Sequence, residues 1–156
     1  MKRSSFIYKM ILLLVVAFFN NACDKDETVL NYDITGDWKV TSFVDYKTAT
    51  VITKTNDNTW NQFNNGDITV SFIESDSTSG VITGRKVTNS FSGNYTTESN
   101  GKIKINNIFQ TLINEPEWGR LFDSILKAET YEVRDNQLRI FYNQRSNCII
   151  FDKIIK

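Results

Sequence analysis

The chain predicts an α+β domain that is mainly β: an antiparallel sheet or partly closed barrel of about eight strands, with one helix near the C-terminal third. Three observations predict it. Short β-branched and aromatic runs recur from Gly36 onward, punctuated by Asn-, Asp- and Gly-bearing turns. One of them, Ile68-Thr69-Val70-Ser71-Phe72, alternates apolar and polar residues as a half-buried strand does. A single stretch switches to helical spacing, with Trp118, Leu121, Phe122 and Ile125 at i, i+3, i+4 and i+7.

The elements follow in order. Gly36 to Val44 (GDWKVTSFV) reads as the first strand and Thr50 to Thr55 as the second. Asn56 to Asp67 is asparagine-rich turn chemistry, and Ile68 to Phe72 is the next strand. Ser75 to Gly80 forms a polar loop, and Val81 to Ile108 is hairpin upon hairpin. Within it, Asn100-Gly101 is the pair that a type I′ two-residue turn prefers, because both positions need positive φ. The helix spans Glu117 to Leu126: Asn114 offers a cap, Glu117 completes a capping box, and Pro116 suits the first turn. Its one apolar face must lie across a sheet or plug a barrel end. Three strands close the chain, Thr130 to Arg134, Gln137 to Tyr142 and Cys148 to Ile154, with Asp135-Asn136 as a tight turn.

The first residues carry an address. Lys2 and Arg3 precede nine consecutive apolar residues, Ile11 to Phe19. A membrane-spanning helix needs roughly 20 apolar residues, whereas a signal-peptide core needs only about 7 to 15. No A-x-A-like site follows the core, but Ala22-Cys23 suits cleavage before the cysteine, and the segment resembles a bacterial lipobox. It departs from that pattern at Asn20 and Asn21. A plain signal peptide with an incidental cysteine is the competing reading. The division expected is a leader over 1–22, a lipidated tether over 23–35 and the β domain over 36–156, with the membrane as partner through lipid on Cys23. Asp24, Lys25, Asp26 and Glu27 resemble the acidic export tag of Bacteroidota lipoproteins. That implies the outer membrane, with display on the cell surface; an ordinary acidic linker is the plainer alternative.

Composition excludes several classes. Without Lys2, Arg3 and Lys9, the chain has 15 basic residues against 18 acidic ones, a net charge of −3. That argues against a nucleic-acid partner. The sequence contains no histidine, which removes Ser-His-Asp and Cys-His catalysis and imidazole-liganded zinc. If Cys23 carries lipid, Cys148 has no partner for a disulfide and reads as a buried, inert thiol. No metal and no cofactor is expected, and no catalytic residue is assigned. The acids Glu115 and Glu117 read as complements to the helix dipole. Asp76-Ser77-Thr78 resembles the three-residue O-glycosylation signal of the Bacteroidota, which makes Ser77 a candidate acceptor.

Gly84-Arg85-Lys86-Val87-Thr88-Asn89-Ser90-Phe91-Ser92-Gly93-Asn94-Tyr95 resembles the G-x-x-x-x-N-x-F/Y-x-G-x-Y segment of the META domain, the HslJ-like family. The likeness extends over about Gly36 to Lys153, although the cysteines often found beside the asparagine and near the helix are absent. It implies a small antiparallel β fold with a packed helix, an envelope location and a link to stress resistance, without agreed catalytic residues. Gly84, Asn89, Gly93 and Tyr95 are therefore read structurally. The glycines would allow a bulge or close backbone approach, Asn89 would bond a turn, and Tyr95 would fill core with its hydroxyl at the rim. Gly36-Asp37-Trp38 also matches the G-x-W that opens lipocalin barrels. Two functions follow as expectations: a non-catalytic envelope interaction domain acting on another protein, or a lipocalin-like binder of a small apolar ligand.

Overall fold

The computed structural model describes residues 32–155. The leader, Cys23, the acidic run Asp24, Lys25, Asp26 and Glu27, and most of the tether lie outside the described residues.

Nine strands form one antiparallel sheet: β1 (Gly36–Asp45), β2 (Thr50–Thr53), β3 (Thr69–Asp76), β4 (Ser79–Arg85), β5 (Ser90–Thr97), β6 (Ile103–Gln110), β7 (Thr130–Arg134), β8 (Gln137–Tyr142) and β9 (Asn147–Lys153). Eight run in the order β6-β5-β4-β3-β1-β9-β8-β7, and β2 pairs with β1 beyond the reach of β3. Strand β1 is the hinge of the sheet. Its start pairs with β3, Trp38 opposite Val70, and nearly its whole length pairs with β9, from Trp38 opposite Lys153 to Asp45 opposite Asn147. Neighbours in sequence are thus neighbours in space, the cheapest way to order a chain.

The sheet curls until its two outer strands meet. Lys102 and Thr130 form an antiparallel bridge, reinforced by the Ile103 N–H to the Glu129 carbonyl (3.0 Å) and the Tyr131 N–H to the Gly101 carbonyl (2.8 Å). Past that bridge β6 and β7 part. A one-turn helix, α1 (Glu117–Leu121), and a 3-10 continuation over Phe122–Lys127 fill the opening, the 3-10 segment packing against β6 and β8. The helical segment therefore occupies the open seam of a half-barrel.

The interior is filled by side chains rather than space. Trp38, Phe72, Phe151, Ile82, Leu138 and Ile149 are among the largest fully buried residues. Phe122 joins the helical segment to this core, its ring 5.2 Å from Phe91 and 6.4 Å from Phe151. Trp118 meets Phe43 edge-on at 5.0 Å. The predicted stripe is buried at Trp118, Phe122 and Ile125, with Leu121 half-buried.

Two local expectations are corrected. Asn114 does not cap the helix and no capping box forms: Pro116 occupies the cap position without a side-chain bond. The Asn114 carbonyl instead accepts the Thr88 hydroxyl (2.9 Å), which holds that residue in the connection. The α-helix is also shorter than Glu117 to Leu126, tightening after Leu121, whose carbonyl accepts the Ser124 hydroxyl (2.7 Å). Second, the β5–β6 turn is not type I′. Only Gly101 has positive φ (+77°), and its N–H bonds the Glu98 carbonyl (3.0 Å). The Asn100 side chain accepts the Lys102 N–H (3.2 Å), an Asx bond, so the loop spans three residues and glycine alone takes the left-handed position.

Candidate functional site

The half-barrel has two dissimilar ends. At the proximal end β1 begins, and the β3–β4, β5–β6 and β7–β8 turns lie there; the segment Tyr32–Thr35 crosses it. At the distal end lie the β4–β5 turn, the β8–β9 turn and the connection from β6 to α1.

The distal end is built around Asn89 and Glu115, both buried. Asn89 ends the β4–β5 turn, which is closed by the Lys86 N–H to the Asn89 carbonyl (2.7 Å). Its side-chain oxygen accepts the Ile113 N–H (2.7 Å) and the Thr111 hydroxyl (3.0 Å), while its amide donates to the Ile113 carbonyl (2.8 Å). One side chain thereby bonds both backbone groups of Ile113, as a neighbouring strand would. The Glu115 carboxylate closes the arrangement. It accepts the Thr88 N–H (3.1 Å), the Thr88 hydroxyl (2.8 Å), the Asn89 N–H (3.2 Å) and the Asn89 amide (2.5 Å). Beside it, the buried amine of Lys86 pairs with the half-exposed Asp123 at 2.8 Å. A carboxylate bonded to four donors is held at a fixed position, so the whole connection Thr111–Pro116 is held with it.

That rigid frame presents an apolar surface. Phe109 is 77% exposed, Leu112 91% and Ile113 61%. Such residues carry no mark when scattered singly, but Leu112 and Ile113 on the pinned connection, with Phe109 at the adjoining end of β6, place three exposed apolar side chains within five positions. Phe109 also lines a shallow groove with Thr83, Ser90 and Thr111 along the β5–β6 rim.

The other residues singled out in the sequence are dispersed. Gly84 faces the Thr69 carbonyl and the Phe91 ring, close enough that a Cβ would collide with both. Gly93 lies at a register break between β5 and β6, where a Cβ would fall 2.9 Å from the Asn106 carbonyl, and Asn107 opposite adopts φ +51°. Tyr95 is buried at the proximal end with its ring edge-on to Phe72 (5.3 Å). Of the four, Asn89 alone belongs to the distal frame. Ser77 is exposed at the tip of the β3–β4 turn.

Chemistry-bearing groups are sparse. The Cys148 thiol is fully buried, and burial pushes its pKa up to about 11, which keeps it a neutral thiol. Among the described residues no cluster of acids, cysteine or histidine has the geometry to hold a metal ion, and no helix is long and apolar enough to cross a membrane. Glu115, like Asn114, has a role other than the one its place beside the helix suggests. It serves the β4–β5 turn across 26 positions of chain rather than the helix dipole, and no single-sequence signal ties those positions together.

The fold so described is a curled antiparallel half-barrel with a helical segment in its seam. No family model matches the chain, and no curated protein matches it. Among solved structures it is similar to the crystal structure of a DUF4847 family protein from Bacteroides vulgatus ATCC 8482. The two share 15% sequence identity and a TM-score of 0.55, over 78% of this chain and 94% of the other. That likeness concerns the fold alone.

Proposed function

We propose that the chain is a lipid-anchored envelope protein, tethered at Cys23, whose β domain docks on a protein partner and catalyses nothing. The observation that carries this reading is the pinned apolar connection. Small-molecule sites are concave; Phe109, Leu112 and Ile113 stand out from a rim, the form in which a protein surface meets another. The frame of Asn89 and Glu115 lowers the ordering cost of binding by fixing the connection beforehand. The tether leads into the opposite end of the barrel. Nine residues from Cys23 to Tyr32 reach at most about 30 Å, so the apolar surface points away from the anchoring bilayer and toward the envelope space or the exterior. The META-like resemblance belongs to the same proposal, as an envelope-associated module, and rests on the segment Gly84 to Tyr95.

A lipocalin-like binder of a small apolar ligand is the second reading. Its support is the sequential strand order closed between β9 and β1, as in up-and-down barrels, together with Trp38 of Gly36-Asp37-Trp38 buried among the strands. Against it stand the side chains that fill the interior and the size of the apolar cleft beside Phe91, Phe122 and Ile125, about 70 Å³. Ligand pockets usually measure about 300 Å³ or more.

Two measurements test the proposal. In Cys23→Ser the protein should leave the membrane fraction and lose the mass of the lipid; an unchanged fraction and mass rejects the anchor. A photo-crosslinker in place of Leu112 should join one defined envelope protein in intact cells, and the same probe at the exposed Lys104 of β6 should not. Equal patterns from both positions reject the docking surface.

A further inference from the structure

At the proximal end, the geometry points to a second, independent site: a cavity that binds a small organic ammonium ion. It measures about 320 Å³ and lies between the segment Tyr32–Thr35, the β3–β4 turn and the end of β5. Three carboxylates line it, Asp33, Glu74 and Asp76, with Ser77, Ser79 and Thr97 beside them and no lysine or arginine among the lining residues.

The carboxylates alone would be an ordinary acidic surface. The added feature is Tyr95, only 3% exposed, which reaches the same cavity. Its hydroxyl bonds no other group among the described residues, and the position of its ring against Phe72 is set by packing. Gly80 makes room for it: a Cβ there would fall 2.6 Å from the hydroxyl oxygen. The hydroxyl opens on the cavity, so it presents a hydrogen-bonding group to a guest that no other side chain claims. Burial and the nearby Glu74 raise the Tyr95 pKa, so the group stays a neutral hydroxyl.

The chemistry selects the guest. Asp76 accepts the Thr78 N–H (2.9 Å) and the Ser79 hydroxyl (2.6 Å), which lower its pKa and keep it ionised. Glu74 makes no hydrogen bond or ion pair among the described residues. The Tyr95 oxygen can accept a proton donor, and Tyr32 also lines the cavity, its carbonyl accepting the Tyr131 hydroxyl (2.7 Å). Carboxylates together with a phenol oxygen are acceptors suited to an ammonium group. The carboxylates do not converge tightly enough for a metal ion, and an anion would meet only like charge. The volume sits at the small end of ligand sites, which fits a short amine carried either by a free solute or by a lipid headgroup.

The test uses the full chain purified in neutral detergent. Calorimetric titration with 1,4-diaminobutane and, separately, with glycerophosphoethanolamine should give saturable one-to-one binding to at least one of them, weakened by added sodium chloride. The better ligand tells a free amine from a headgroup source. Tyr95→Phe and Glu74→Gln should each weaken binding about tenfold, with thermal midpoints near the parent's. Glu117→Gln, at the other end of the barrel, should leave it unchanged. Failure of both amines to bind, equal binding of uncharged 1,4-butanediol, or binding indifferent to Tyr95→Phe and Glu74→Gln overturns the inference.

Discussion

The two ends of the barrel each bury a tryptophan, and the two are treated differently. At the proximal end, Trp38 donates its indole N–H to the Ile34 carbonyl (2.8 Å), and the Lys153 amine lies 5.4 Å above its ring. At the distal end, Trp118 is equally buried, yet its indole N–H has no partner among the described residues. The proximal end is also where β6 and β7 bridge, whereas the distal opening is filled by a short helix and a 3-10 turn. The difference teaches how each end is held. The proximal end is closed by backbone pairing around a satisfied aromatic core. The distal end lacks strand pairing across its opening and depends on side chains, the Asn89–Glu115 frame above all.

If that contrast is correct, the distal end should be the more fragile to polar substitution. Glu115→Ala strips the partner from the Thr88 and Asn89 donors in one step, in a place where water does not readily replace it. The expected loss is about 3–4 kcal/mol in urea denaturation, with increased hydrogen exchange concentrated in residues 111–116. Glu115→Gln keeps an acceptor but sets an amide against the same donors, and should lose about half as much. A loss below about 1 kcal/mol for Glu115→Ala would mean that the apolar stripe, not the polar frame, holds the distal end.

The tryptophans sharpen the comparison at a smaller scale. Trp38→Phe and Trp118→Phe remove similar volume from similarly buried sites. Only the first leaves a buried carbonyl, that of Ile34, without its donor; the second removes a group that was already unsatisfied. Trp38→Phe should therefore cost about 1–2 kcal/mol more than Trp118→Phe. Equal costs would show that the Trp118 N–H finds a partner in solution.

The strands and the distal frame were legible in the sequence to different degrees, for a physical reason. Alternation in Ile68–Phe72 and the β-branched runs of β7, β8 and β9 report burial on one face, which is a local property, and the fold class follows from them. Turn details depend on competition between neighbouring groups. Asn100 satisfies the Lys102 N–H from an ordinary backbone conformation, so the residue pair suggested the wrong turn. The helix start failed for a related reason: Thr88, distant in sequence, takes the Asn114 carbonyl that a local capping reading assigns to the helix. Asn89 was visible as a turn residue because asparagine favours turns, but its pairing with Ile113 and Glu115 is tertiary and leaves no local trace. Exposure of Leu112 and Ile113 was equally hidden, since an apolar residue reads as core until the surrounding surface is known.

The smallest expected effect is the most discriminating. Leu112→Asn with Ile113→Asn replaces two exposed apolar side chains and leaves the backbone bonds of Ile113 to Asn89 in place. Surface changes away from caps, cavities and networks usually shift stability by no more than about 0.5 kcal/mol, and removing exposed apolar area costs the folded state nothing. The double variant should unfold at the parent's urea midpoint and show the same hydrogen-exchange protection at Asn89. Its complex with the protein captured through position 112 should weaken by at least about tenfold, because the apolar centre of an interface supplies most of its energy. A stability loss comparable to that of Glu115→Ala would place the two side chains in the folding of the connection. Unchanged stability with unchanged partner binding would move the docking surface elsewhere on the barrel. Only the separation of the two readouts keeps the distal end as a rigid frame built to display what it does not need for its own stability.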